Sequence, residues 1–196
     1  MIEWKARAAD GSVSLQEMEL AATVRAKAAS SPASVVIVHV VCGTKTGLVY
    51  PSLGLVKGLQ AELGEQLVVV VDACQLRCKL SMIREYIEDL HAFVLVTGSK
   101  FFCGPPFCGA VVVPQSYSRE MEAHLAATLR SAGGGAEGGA CVFPVGLQSY
   151  LTPQDVSADM PHLRSLLDAG NNKVSTALFF ACFLSEHSAC LPTLSS

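Results

Sequence analysis

Val35-Val36-Ile37-Val38-His39-Val40-Val41, Leu67-Val68-Val69-Val70-Val71 and Ala92-Phe93-Val94-Leu95-Val96 decide the fold of this chain. Each is a short, mostly apolar run without apolar–polar alternation, and the first two are mostly β-branched. Runs of that kind fit strands buried on both faces, as in a parallel sheet. Helical patterns separate them. Pro51-Ser52 opens one that reaches about Leu63, with Val56, Leu59 and Leu63 on one face and Gly64 as the stop. Residues 76–90 form the clearest pattern: Leu76, Leu80, Ile83, Ile87 and Leu90 share one face, and Arg77, Lys79, Arg84, Glu85 and Glu88 take the other. Strand, helix, strand, helix, strand argues for a parallel α/β sheet built with right-handed crossovers.

Outward from this centre the pattern changes. Ser14-Leu15-Gln16-Glu17 is a capping-box signature, and a helix is expected over 14–29, ended by Ser30-Ser31-Pro32. The strand Ala110-Val111-Val112-Val113 follows a short connection containing Gly104-Pro105-Pro106, with no room for a crossover helix, so it is expected to run antiparallel. Ser118 is expected to cap a helix carrying Met121, Leu125 and Leu129. Residues 161–167 and 174–184 also read as helices, the last apolar nearly all round. The fold class is therefore α/β, a mostly parallel mixed sheet with helices on both faces and one antiparallel strand. Residues 1–130 read as the α/β core, 131–140 as a glycine-rich loop and 141–196 as a helical remnant.

Composition excludes several classes. The chain has 196 residues, 51% of them hydrophobic and 16% charged, which argues against disorder and coiled coil. A net charge of -3 gives no electrostatic case for nucleic acid or a membrane surface. The apolar runs are too short to span a bilayer, and the N-terminus carries no secretory signal pattern. Eight cysteines lie in or beside apolar segments, so they are expected as reduced thiols, in the cytoplasm or another reducing intracellular compartment.

Ligands of open α/β sheets bind at the carboxyl ends of the strands. Gly43-Thr44-Lys45-Thr46-Gly47, Asp72-Ala73-Cys74-Gln75 and Thr97-Gly98-Ser99-Lys100 each follow such a strand. The first lacks the spacing of a phosphate loop and reads as a tight strand-to-helix turn. Asp72 and Lys100 stand one helix and one strand apart, and neighbouring strand ends lie about 5 Å from each other. A carboxylate and an amine at that separation, with the hydroxyls of Thr97 and Ser99 between them, fit a small ring with a basic nitrogen, an aldehyde and a phosphate. Pyridoxal phosphate is such a ring.

Asp72-Ala73-Cys74-Gln75 followed by Thr97-Gly98-Ser99-Lys100 and the turn Gly104-Pro105-Pro106 resembles the fold type I pyridoxal-phosphate enzymes, closest in style to the class V aminotransferase and cysteine desulfurase group. The match runs over about residues 35–114. The resemblance implies that Asp72 pairs with the pyridine nitrogen, that Gln75 hydrogen-bonds the ring hydroxyl, and that Lys100 is the catalytic Schiff-base lysine. It also implies that Thr97 and Ser99 help hold the phosphate, that Cys74 lies near a ring face, and that the chain forms a homodimer. The implied activity is transferase or lyase chemistry on amino acids or related amines. Such enzymes are about twice as long, so the chain reads as a partial large domain with a shortened tail.

Other readings of the same residues stand beside this one. Asp72 can simply cap the following helix, and Lys100 can be a surface lysine. His39 reads as a core histidine, and His91 as a neighbour of a helix C-terminus. Cys74, Cys78, Cys103, Cys108 and Cys42 are spaced more loosely than usual zinc ligands. The alternative function is a catalytically inactive α/β remnant acting through protein association; a redox or metal-binding protein is a third.

Overall fold

The computed structural model describes residues 2–3, 5, 7–12, 16–100, 103–104, 108–131, 151–168 and 179–182. The chain divides into two compact units, Met1–Val94 and Leu95–Ser196. Both contribute to an α/β architecture with a mixed sheet. No helix among the described residues is long and apolar enough to cross a membrane.

In the first unit, α1 (Glu17–Ala29) precedes β1 (Val36–Cys42), β2 (Val49–Tyr50), α2 (Leu53–Leu63), β3 (Leu67–Asp72) and α3 (Leu80–Glu88). The strands lie in the order β2-β1-β3. β1 and β3 are parallel, with Val38 beside Val69 and Val40 beside Val71. The valine-rich composition suits this pleated pairing. β2 is antiparallel to β1 through Val41–Tyr50 and Cys42–Val49, a strand too short to register in the sequence pattern. Its turn closes with the Gly43 and Thr44 N–H groups donating to the Leu48 carbonyl, so residues 43–47 form a hairpin turn between two strands, not the expected strand-to-helix turn.

Helix α1 is described from Glu17, and Ser14 of the expected capping box lies outside the described residues. Glu17 itself reaches across to Ser52. Its carboxylate accepts from the Ser52 N–H at 2.7 Å and the Ser52 hydroxyl at 2.9 Å. Ser52 in turn caps α2 by accepting from the Leu55 N–H. Gly64, at φ +55, ends α2 as expected.

The helices of this unit form one layer. α1 packs on β1 and α2 on β3. Arg25 of α1 pairs with Glu62 of α2 at 2.8 Å. Lys57 of α2 sits between Glu85 and Asp89 at 2.7 and 3.1 Å, and Gln60 donates to the Leu90 carbonyl. The layer covers Val38, Val40, Cys42, Leu67, Val69 and Val71, all buried. The opposite face of β1 carries Ile37 at 60% exposure, with His39 and Val41 also exposed. This corrects two expectations: this unit has helices on one face of its sheet, and His39 is not a core residue. Right-handed crossovers that advance across a sheet in one direction keep their helices on one side, and an unbroken apolar run does not reveal that.

Helix α3 is also shorter than its periodicity suggests, beginning at Leu80 rather than Leu76. Asp72 accepts from the Cys74 N–H at 3.0 Å, folding the chain into an Asx turn. Leu76 then takes φ +46, outside the helical region. Leu80 is exposed, and Tyr86, Ile87 and Leu90 carry the buried face.

β4 (Phe93–Thr97) leads into the second unit, where β5 (Gly109–Val112), α4 (Gln115–Ser131), α5 (Pro161–Asp168) and β6 (Phe179–Cys182) follow. The strands here run in the order β4-β5-β6. The Gly98 N–H donates to the Cys108 carbonyl at 3.1 Å. That bond brings the end of β4 to the start of β5, the geometry of an antiparallel return. β5 and β6 are parallel, Gly109 beside Phe179 and Val112 beside Cys182. A strand therefore occupies 179–182, inside the 174–184 segment read as a helix; residues 174–178 and 183–184 lie outside the described residues, as does the glycine-rich stretch from 132 on. Short apolar runs fit either element, and the edge of β5 settles this one as a strand. α4 starts at Gln115, and Ser118 lies within it, donating to the Gln115 carbonyl. Leu125, Val156, Met160, Leu163 and Leu167 form the core between α4 and α5.

Candidate functional site

Both sequence motifs begin on the last residue of a strand. Asp72 ends β3, and Thr97 ends β4. Hydrogen-bonded strand geometry thus stops where each motif's side chains are free to do something other than pack. The two motifs belong to different compact units.

At the end of β3, Asp72 is half-buried and stands beside Val41 of β1. One carboxylate oxygen accepts from the Cys74 N–H. Among the described residues no donor takes the other oxygen, so Asp72 caps its own turn and keeps one acceptor in reserve. Gln75 is half-buried in the same turn, which the Leu76 N–H closes onto the Ala73 carbonyl at 2.8 Å. The role of Asp72 as a helix cap is not what forms here; the turn separates it from α3.

At the end of β4, glycines allow the backbone to fold back on itself. The Gly104 N–H donates to the Gly98 carbonyl at 3.0 Å. A Cβ on Gly104 would lie 2.9 Å from that oxygen, and one on Gly98 would lie 3.1 Å from the Cys108 sulfur. Thr97 donates its hydroxyl proton to the Cys108 carbonyl, which can only accept. Its oxygen accepts from the Ser99 N–H at 3.3 Å. The 2.8 Å contact between the Thr97 and Ser99 hydroxyls must then run from Ser99 to Thr97. Both hydroxyl protons are spent in this arrangement. A phosphate held here requires Ser99 to turn away from Thr97 and offer its proton outward. Lys100 follows with its side chain exposed, and among the described residues it makes no hydrogen bond or ion pair.

The role of the Cys108 carbonyl and of Gly104 escapes a reading by strand ends alone. The signal available was the pair of glycines flanking the connection. His91 is exposed at φ +45 beyond α3. Cys42, Cys78, Cys103 and Cys108 are free thiols. Among the described residues no three His, Cys, Asp or Glu side chains gather as a metal site. No protein family, curated protein or solved structure matches the chain.

Proposed function

We propose that the chain binds pyridoxal phosphate and belongs to transferase or lyase chemistry on amino acids or related amines. The observation that carries this reading is the coincidence of each motif with a strand's last residue: Asp72 on β3 and Thr97, leading to Lys100, on β4. The donor set suits the cofactor. Asp72 has a carboxylate oxygen available to hold a proton on a ring nitrogen. Lys100 has an amine available to an aldehyde. Ser99, once turned, has a hydroxyl proton for a phosphate. Gln75, in the Asp72 turn, would hydrogen-bond a ring hydroxyl. When bound, the cofactor supplies an electron sink for bonds to the substrate's α-carbon. Lys100 would move the proton at that carbon, and Asp72 would keep the ring nitrogen protonated.

The test is incubation with the cofactor, followed by the absorbance spectrum and borohydride reduction. Imine absorbance and a reduced adduct on the Lys100 peptide are expected, both absent from a folded Lys100→Ala chain. An adduct spread over several surface lysines, or none, defeats the reading.

The exposed face of β1 favours a second reading, association without catalysis. Val35 and Ile37 are 59% and 60% exposed beside His39 and Val41, an apolar strip of the kind that marks contact with another protein. Light scattering separates the two. An assembly that Ile37→Lys dissolves, in a chain with no cofactor response, supports association and not catalysis.

A further inference from the structure

A short connection joins the end of α1 to the start of β1, and Gln66 reaches into it from the residue before β3. Its Nε2 lies 3.5 Å from the Ala28 carbonyl oxygen, 3.3 Å from that of Ser31, 3.2 Å from that of Pro32 and 3.4 Å from that of Ser34. An amide nitrogen carries two protons, so it cannot give each of the four oxygens a proton of its own. None of the contacts is as short as an ordinary N–H···O bond of about 2.9–3.0 Å. The nitrogen is centred in a ring of acceptors that it does not saturate. The Ala28 carbonyl belongs to the last turn of α1, where helix carbonyls lack intrahelical partners and the dipole favours a cation. The ring is also held by bonds other than those to Gln66. The Ser34 N–H donates to the Ser31 carbonyl at 2.9 Å, the Ala33 N–H to the Ser31 hydroxyl at 3.2 Å, and the Ser30 hydroxyl to the Lys27 carbonyl at 2.7 Å.

We propose that these four carbonyls form a site for a large univalent cation of the potassium class, with the Gln66 side-chain oxygen as a fifth ligand. Half a revolution of the Gln66 amide about its terminal bond exchanges nitrogen for oxygen at the ring. The ion then lies among five oxygens. The donor set selects the class of ion. All five donors are neutral carbonyl oxygens, the kind that replace the water shell of a univalent cation. Calcium and magnesium draw on carboxylates at about 2.3–2.6 Å and 2.0–2.1 Å, and a wide ring without charge offers neither. Binding is a displacement with no covalent step: the ion sheds water, and the amide turns over to meet it. The effect is mechanical. β1 and β3 start side by side, Val36 beside Leu67, so an ion held by the connection before β1 and by Gln66 before β3 ties both strand starts to the end of α1.

The test is thermal denaturation of the full chain in potassium, lithium or choline chloride at constant ionic strength. Saturating potassium is expected to raise the midpoint by about 2–4 °C over choline. Lithium, too small to span the ring, should do no more than choline. Hydrogen exchange gives a local readout in the unmutated chain: potassium should slow the Ser34 amide, which donates to one of the ring carbonyls, at least threefold. Two variants then act in opposite directions. Gln66→Lys places an ammonium with three protons in the ring and should abolish the potassium dependence, with the midpoint in choline raised. Gln66→Glu adds a charge at the fifth ligand and should bind potassium at least threefold more tightly. Equal midpoints in potassium and choline, a lithium effect matching that of potassium, or an undiminished potassium dependence in folded Gln66→Lys would each overturn the proposal.

Discussion

Replacing Glu122 with alanine should loosen the α4–α5 pair of the second unit by a measurable and calculable amount. α5 begins with Pro161, which has no N–H to satisfy, and the residue before it is Met160, whose buried side chain cannot cap. The next two backbone donors point at Glu122 of α4. Its carboxylate accepts from the His162 N–H at 3.0 Å, the Leu163 N–H at 2.9 Å and the His162 Nδ1–H at 2.7 Å. It thus serves as an N-cap supplied from another helix. Burial alone would raise its pKa, but the Leu163 and His162 donors outweigh that and hold it below the ordinary carboxyl value. The Glu122 side chain is 13% exposed, whereas His162 is 44% exposed, so the ring contact counts for little. Losing an N-cap together with its charge at two backbone donors costs about 2–3 kcal/mol. Hydrogen exchange at the His162 and Leu163 amides should accelerate roughly thirty- to hundredfold, since each 1.4 kcal/mol is tenfold. Glu122→Gln, which keeps an acceptor oxygen, should lose only about 1 kcal/mol. The pH dependence has a fixed sign. A carboxyl whose folded pKa is depressed stabilises fully above the unfolded value of about 4.3 and ceases to do so as pH falls through the folded one. The alanine variant should lack that acid-side loss. Unchanged exchange at His162 and Leu163 in a folded Glu122→Ala chain would refute the reasoning.

Three further outcomes follow from the packing. Leu59→Ala, at 1% exposure, should lose about 2–5 kcal/mol, while Ile37→Thr on the open face of β1 should stay within about 0.5 kcal/mol; equal losses in chemical denaturation would contradict a helix layer on one side. Gly104→Ala sets a methyl group 2.9 Å from the Gly98 carbonyl oxygen, a backbone atom with little room to yield, and should cost about 1–3 kcal/mol in thermal denaturation. Ser52→Ala removes the α2 cap and the hydroxyl bond to Glu17, leaving the backbone N–H bond in place, and should cost about 1–2 kcal/mol; a double-mutant cycle with Glu17→Ala should show coupling, and strict additivity would deny the hydroxyl contact.

The strands were legible because β-branched runs of this length have few alternatives, and α2 because its start and its glycine stop are both written locally. Features set by distant partners were not. β1 carries Ile37 and Val41 on its open face and Val38 and Val40 on its buried one, so the position of the helix layer cannot be read from its apolar residues. The start of α3 depends on Asp72 folding onto the Cys74 N–H and on Leu76 leaving helical geometry, and both are overridden by a strong helical period in the sequence. Residues 179–182 became a strand because β5 offers them an edge. At the candidate site, the placement of Asp72 and Thr97 on strand ends was readable. The expenditure of the Thr97 and Ser99 protons was not, since it depends on the Cys108 carbonyl returning across the connection.

The central claim is that Lys100 supplies the amine for pyridoxal phosphate. Mass spectrometric mapping of the borohydride-reduced adduct, after brief incubation with about one equivalent of cofactor, tests it most directly. Modification concentrated on Lys100 and weakened by Asp72→Ala is the predicted result. Modification distributed over the exposed lysines, indifferent to Asp72, would contradict it.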